Sequence, residues 1–382
     1  MKIAIDYREA IRENKAGKGV VVWQLVDRLK KIILDDEVDL LVDEDFVFED
    51  FPANWHKKII GGKGLKWHWN VWRKLKNYDR YLSLTSFLVP AFDWNKKCII
   101  FVHDLVVFYD ELAKKHNRKA YWMERLTLGA ALKKARKIIV PSETTGEDLK
   151  KFFKVDENNF SLVYEGVNIQ NFQFPIFPSR DRTAAGNFQT YFDENIGEIK
   201  KKFGITGDYL FFVGTLEPRK NLSNLILAYD KLVKKYGWEG QLVLAGKKGW
   251  YFDELFTLVK KLNLEKKVIF TGFTTDEEKF ILIKDAKCFC MVSRYEGFGL
   301  PILEAMSVGT PVVTSNNSSL SEVAGEAVVL VDPDNVEEIA SGIQKVLSDK
   351  VLADSLVKKG MERIKLFDWE KAAGEVYNLV RD

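Results

Sequence analysis

Short, unbroken apolar runs recur along the chain, and most of those in its second half end in Gly or Ser. They lie at 209–214 (Y-L-F-F-V-G), 241–246 (Q-L-V-L-A-G), 267–272 (K-V-I-F-T-G), 288–293 (C-F-C-M-V-S), 311–315 (P-V-V-T-S) and 327–331 (A-V-V-L-V). A strand with one wet face alternates apolar and polar residues. A run without alternation is buried on both faces, as in a parallel sheet covered by helices. Amphipathic stretches at 222–236, 252–263, 275–285, 301–308, 318–323 and 335–348 supply those helices. The first half repeats the rhythm, with strands at 2–6, 38–42, 80–84, 98–102 and 137–140 and helices at 19–31, 66–76, 117–135 and 143–153. The expected fold class is α/β: two Rossmann-like, doubly wound parallel-sheet domains facing a central cleft. In such sheets ligands bind at the carboxyl edge, in the loops that follow the strands.

The length of 382 residues suits two cores. Residues 171–200 interrupt the pattern, with two prolines and a small, polar tract in F-P-I-F-P-S-R-D-R-T-A-A-G-N. The expected division is a first domain over 1–170, a linker or insertion over 171–204 and a second domain over 205–367. A last helix, about 368–381, has no strand of its own.

Net charge is +3, too small to imply nucleic-acid binding. The three cysteines, Cys98, Cys288 and Cys290, sit inside apolar runs and read as buried free thiols. The Cys-x-Cys pair lacks the further ligands of a zinc site. The first apolar run stops at Asp6, too early for a signal peptide, and no stretch approaches a membrane span. A cytoplasmic protein is expected, at most attached to the inner face of the membrane.

Four segments carry candidate chemistry. T-L-E-P-R-K-N (215–221) follows a strand; Asn221 can cap the next helix, and Arg219 and Lys220 place charge at its N-terminus. That suits a diphosphate, though two solvated bases in a loop would read the same. S-R-Y-E-G-F-G-L-P-I-L-E (293–304) sets Glu296 and Glu304 on either side of a glycine turn, with Pro301 opening a helix whose first turn holds Glu304. The amides of Gly297, Phe298, Gly299 and Leu300 are expected as a donor cradle. Two such carboxylates can act as a glycosidase acid/base pair, accept hydrogen bonds from vicinal hydroxyls, or simply favour a helix dipole. F-V-H-D (101–104) puts His103 at a carboxyl edge, and A-G-K-G (16–19) joins a loop to a helix.

These segments together strongly resemble the retaining glycosyltransferases of family 4, which have the GT-B fold. The resemblance spans nearly the whole chain, with E-G-F-G-L-P-I-L-E-A-M as its most specific block, and it implies that the C-terminal helix, 368–382, packs back on the first domain. It implies that Arg219 and Lys220 bind the donor diphosphate and that Glu304 accepts from the ribose hydroxyls. Glu296 and the 297–300 amides would hold the transferred sugar and the phosphates. His103 would sit over the sugar, Gly17 and Gly19 would form a loop closing on the donor, and the Gly272–Phe273 backbone would face the base. Thr215 stands where many members carry Arg, which leaves the phosphate charge to Arg219 and Lys220. The T-L-E-P-R-K-N form is similar to the mannosyltransferase-like branch, implying GDP-mannose as donor and a glycan or lipid-linked saccharide as acceptor. Stabilising a nucleoside diphosphate leaving group is then the main catalytic task, with no metal or other cofactor expected, by front-face substitution. Other readings of the same segments are a UDP-sugar transferase, a sugar-nucleotide epimerase and a non-catalytic nucleotide-sugar-binding subunit.

The tract 55–76, W-H-K-K-I-I-G-G-K-G-L-K-W-H-W-N-V-W-R-K-L-K, mixes tryptophan with lysine. It rests on anionic lipid, binds a lipid-linked or anionic acceptor, or packs as a helix burying Trp69 and Trp72 while its lysines stay solvated.

Overall fold

All the apolar runs named above form strands, and every pairing between strands is parallel. The computed structural model describes residues 1–12, 17–109, 118–167, 184–249 and 252–382. The chain divides into two compact units, residues 1–166 with 368–382, and residues 167–367.

In the first unit the strands are Lys2–Asp6 (β1), Glu37–Val42 (β2), Trp55–Ile59 (β3), Arg80–Ser83 (β4), Cys98–Phe101 (β5), Lys137–Val140 (β6) and Phe160–Leu162 (β7). They lie in the order β3-β2-β1-β4-β5-β6-β7. β1 begins in the middle and the order reverses between β1 and β4, the switch point of a doubly wound sheet. Helices Lys18–Ile32 (α1), Leu65–Lys74 (α2), Arg118–Lys134 (α3) and Glu143–Phe153 (α4) belong to this unit. One core cluster joins Trp67 and Val71 of α2 to Ala4, Leu41, Tyr81 and Cys98. Another joins Leu128, Ala131 and Leu149 to Ile100, Val102, Ile138 and Val140. All three cysteines are free and buried.

The tract 55–76 is therefore not one helix. Its first residues form β3, an edge strand whose outward residues include lysines. The buried indoles are Trp55 and Trp67, at 2% and 0% exposure, rather than Trp69 and Trp72. Trp67 and Val71 are four residues apart and share the inward face of α2. Trp69 lies on the other side, 57% exposed and stacked on Trp72, whose indole donates to the Phe92 carbonyl (3.0 Å).

The second unit contains Ala184–Phe203 (α5), Tyr209–Val213 (β8), Leu222–Tyr236 (α6), Gln241–Ala245 (β9), Phe252–Lys261 (α7), Val268–Gly272 (β10), Asp276–Asp285 (α8) and Cys288–Met291 (β11). Leu300–Ser307 (α9), Val312–Ser315 (β12), Ser318–Ala324 (α10), Val329–Val331 (β13), Val336–Ser348 (α11) and Lys350–Arg363 (α12) follow. The strand order is β10-β9-β8-β11-β12-β13, so β8 and β11 flank the switch point.

The expected linker at 171–204 needs correcting. Its part at 171–183 lies outside the described residues, but 184–203 is the helix α5, within the second unit. Phe192, Ile196, Ile199 and Phe203 recur at helical spacing and are half-buried, with exposed residues between them. Lys200 pairs with Asp285 (2.8 Å) and Lys202 with Glu278, tying α5 to α8.

The last helix, Trp369–Arg381 (α13), belongs to the first unit. It buries Trp369, Ala372, Ala373, Val376 and Val380. Tyr377 donates to Asp36 (2.8 Å) and Arg80 to the Val380 carbonyl (3.0 Å). Among the described residues no helix is long and apolar enough to cross a membrane.

Candidate functional site

β8 and β11 are hydrogen-bonded neighbours, so the loops that leave their carboxyl ends meet. These are the T-L-E-P-R-K-N and S-R-Y-E-G-F-G segments. The Arg294 amide donates to the Arg219 carbonyl (2.8 Å), and Arg219 Nη1 lies 3.3 Å from the Tyr295 carbonyl. Asn221 stands at the N-cap position of α6 but makes no side-chain cap, contrary to expectation. Its backbone is left-handed (φ 56°), which turns its amide to the Val292 (3.0 Å) and Pro333 (2.6 Å) carbonyls. It braces strand ends instead of the helix start.

Between the loops, Glu296 joins both cations. Lys220 Nζ donates to Oε1 and Arg219 Nη1 to Oε2, each at 2.6 Å. Arg219 Nε also donates to Glu217 Oε1 (2.5 Å). Lys220 and Glu296 are 7% and 6% exposed, so little water screens the pair. Burial opposes the charge of Glu296, but Arg219 and Lys220 outweigh it and hold the carboxyl below its usual range. Burial and the Arg219 charge pull the Lys220 ammonium down, against the attraction of Glu296. A carboxylate held ionised in this way is not a general acid, so in a glycosidase pair Glu296 is left only the base or nucleophile role. Among the described residues the Lys220 ammonium donates to Glu296, which uses one of its three N–H bonds.

Glu304 is held apart from this cluster. α9 starts at Leu300 with Gly299 as N-cap, one residue earlier than expected, which puts Pro301 second and Glu304 fifth, past the first turn. Its Oε1 accepts from Lys279 of α8 (2.7 Å), and Lys279 also pairs with Asp276 (3.0 Å). Burial works against the charge of Lys279, but Glu304 and Asp276 prevail and raise its ammonium above the usual value. Ribose hydroxyls would thus meet a carboxylate that already has one cationic partner.

Side chains of α10 brace the loop that carries the expected amide cradle. The Ser319 hydroxyl lies 2.9 Å from both the Glu296 and Phe298 carbonyls, and the Glu296 amide donates to Ser318 Oγ (3.3 Å). Gly297 and Phe298 each have a further interaction. The ring of Phe298 packs edge-on against Phe367 (centroids 5.7 Å). Thr215 is exposed, and its carbonyl accepts from the Glu217 amide (2.9 Å). The Gly272 carbonyl accepts from the Gly246 amide (2.8 Å) and Thr271 Oγ1 (2.9 Å), so it too is engaged. Phe273 is 47% exposed, with Lys247 over its ring at 5.5 Å.

In the first unit, Gly17 is the N-cap of α1 (φ 46°), and Gly19 is buried in its first turn. His103 follows β5 and is buried, with Nε2 2.7 Å from the Leu84 carbonyl and Nδ1 3.6 Å from Glu165 Oε1. Glu165, Glu217 and Lys279 escaped the sequence reading. Glu217 stood inside a quoted motif, whereas Glu165 and Lys279 gain meaning only from partners distant in sequence.

A family model described as glycosyltransferase family 4 matches residues 16–171, and one described as glycosyl transferases group 1 matches residues 195–363. Together they span most of the chain. The chain belongs to the family 4 glycosyltransferases. Its fold is GT-B, matching solved structures over the full length. Sucrose-phosphate synthase from Thermosynechococcus elongatus superposes with a TM-score of 0.77 at 21% identity, covering 100% of this chain and 98% of that one. O-antigen chain mannosyltransferase B of Escherichia coli is 39% identical over 170 residues, 44% of this glycosyltransferase and 45% of that relative. Serotype-specific mannosyltransferase WbdA of Escherichia coli is 27% identical over 289 residues, 75% of this chain and 33% of that relative. The matches thus cover less than half of the length of these two curated relatives.

Proposed function

We propose that this glycosyltransferase moves a hexose from a nucleoside diphosphate sugar to a glycan or lipid-linked saccharide, with retention and without a metal. Mannose from GDP-mannose is the favoured donor reading, supported by the names of the related mannosyltransferases and by the T-L-E-P-R-K-N motif. The observation that carries the reading is the Arg219–Lys220–Glu296 cluster at the carboxyl edge beside the switch point. Glu296 keeps two cations assembled before any substrate arrives, and the Lys220 ammonium has N–H bonds to offer a diphosphate oxygen.

The leaving group is a nucleoside diphosphate, so negative charge grows on it as the glycosidic bond breaks. Arg219 and Lys220 stabilise that charge with little reorganisation, because Glu296 already orients them. In front-face substitution the departing phosphate takes the proton of the acceptor hydroxyl, and no protein nucleophile is required. Glu304 then serves the donor by accepting hydrogen bonds.

Thermal-shift measurements with GDP-, UDP- and ADP-sugars test the donor. GDP-mannose is expected to raise the melting temperature most; a larger shift with a UDP-sugar would replace it as donor. Transfer is expected to persist in EDTA, and strict dependence on a divalent cation would contradict the metal-free reading. We further propose that exposed Trp69 and the exposed lysines of 63–76 touch anionic lipid. Failure to float with anionic liposomes at low salt would rule that out.

A further inference from the structure

The imidazole of His103 has both ring nitrogens turned toward the protein. A carbonyl can only accept, so Nε2, 2.7 Å from the Leu84 oxygen, carries a proton. Nδ1 then faces Glu165 Oε1 at 3.6 Å, an ion-pair distance. The two residues are 7% and 5% exposed. Phe101 lies against the ring (centroids 4.5 Å), and the neighbouring carboxylate, Asp104, accepts from the Val106 amide (3.1 Å). Among the described residues, Glu165 is the charged group paired with this ring.

Glu165 is itself fixed from behind. It follows β7, and the next residue, Gly166, is pressed against the start of α13. A Cβ at Gly166 would stand 2.4 Å from the Trp369 nitrogen and 2.7 Å from its Cγ. The last helix therefore seats the backbone that carries Glu165, within the same unit as His103.

We propose that Glu165 is the positioning residue of His103, its carboxylate holding the plane of the ring and serving as counter-charge when Nδ1 is protonated. The proposal rests on the transferase reading, though part of its test needs no turnover. Nε2 is bonded to the Leu84 carbonyl and Nδ1 faces Glu165, so both ring nitrogens are directed at groups of the protein. His103 offers a ring whose charge, when Nδ1 is protonated, is answered inside its own unit. Without the carboxylate, Nδ1 faces no counter-charge and the ring is held by the Leu84 carbonyl and Phe101.

Glu165→Gln keeps the shape and removes the charge. In ¹H–¹⁵N spectra of the intact protein, with the His103 signals identified by their loss in His103→Gln, E165Q is expected to shift the Nδ1 resonance and its pH titration. In transfer assays, kcat is expected to fall about tenfold to a hundredfold with the donor KM within about threefold, and Glu165→Asp to recover part of the loss. An unchanged His103 titration in E165Q overturns the proposal even if activity falls, because Glu165 is then only structural. A shifted titration supports it even if the chain transfers no sugar, in which case the functional reading alone fails. Should E165Q not fold, the same spectra of E165D decide in the same way.

Discussion

Lys220 and Glu296 show how much a single residue's role depends on its partner. Lys220→Ala removes one of the two cations on Glu296 and leaves Arg219, so the fold should persist while the site loses half its positive charge. Donor affinity is expected to fall at least tenfold, about 1.4 kcal/mol, read by calorimetry with the donor. Glu304→Ala should weaken the same donor and also leave Lys279 paired with Asp276 alone, with unchanged affinity in both variants removing the site assignment. His68 makes a different prediction. It is buried, with no partner at Nδ1 among the described residues, and burial, then the nearby Arg8 charge, push it down to about 4. The unfolded chain takes up the proton near 6.5, so between those values the unfolded state binds more protons. Stability is therefore full above about 6.5 and lost as pH falls toward 4, by about 1–3 kcal/mol. Urea unfolding of wild type and His68→Asn at pH 7 and 4.5 checks it: the variant should lose less on acidification.

Among elements, the loop before α9 depends most on its backbone. Gly299 has φ 111° at the N-cap, and an added Cβ would sit 2.8 Å from Leu320 Cδ2. Gly299→Ala is expected to destabilise by about 1–3 kcal/mol and to weaken donor binding, because the strain falls beside Glu296. A variant with wild-type melting temperature and donor affinity would contradict this. The turn itself was legible, since glycines and Pro301 announce a loop and a helix start. α5 was not, although Phe192, Ile196, Ile199 and Phe203 repeat at helical spacing, because Gly186, Gly197 and the upstream prolines mimic a linker. β3 and β7 were missed for another reason: edge strands need no continuous apolar run, and these are the outermost strands of their sheet.

For the molecule as a whole, the chain returns at its end to the unit it began with. Truncation after Phe367 would uncover the surface that buries Trp369, Val376 and Val380. Each such side chain contributes about 1.5–3 kcal/mol, so the first unit should lose several kcal/mol and melt well below the second. Calorimetry should then resolve a lowered first transition in the truncated chain, and an unchanged profile would show that α13 adds no stability.

The sequence alone determined two parallel sheets of doubly wound type, the strands at their centres and the loops at their carboxyl edges, because apolar runs and turn residues are local signals. It also marked Arg219, Lys220, Glu296 and Glu304 as the residues to watch. Which carboxylate answers which cation was decided only by tertiary structure. Glu296 reaches Lys220 across 76 residues because β8 and β11 are neighbours, and Glu304 reaches Lys279 across the gap between two helices. Pairing depends on distance in space, and strand order sets that distance. The two glutamates that read as a symmetric pair in the sequence are thus unlike in the fold, one holding Arg219 and Lys220 and the other held by Lys279.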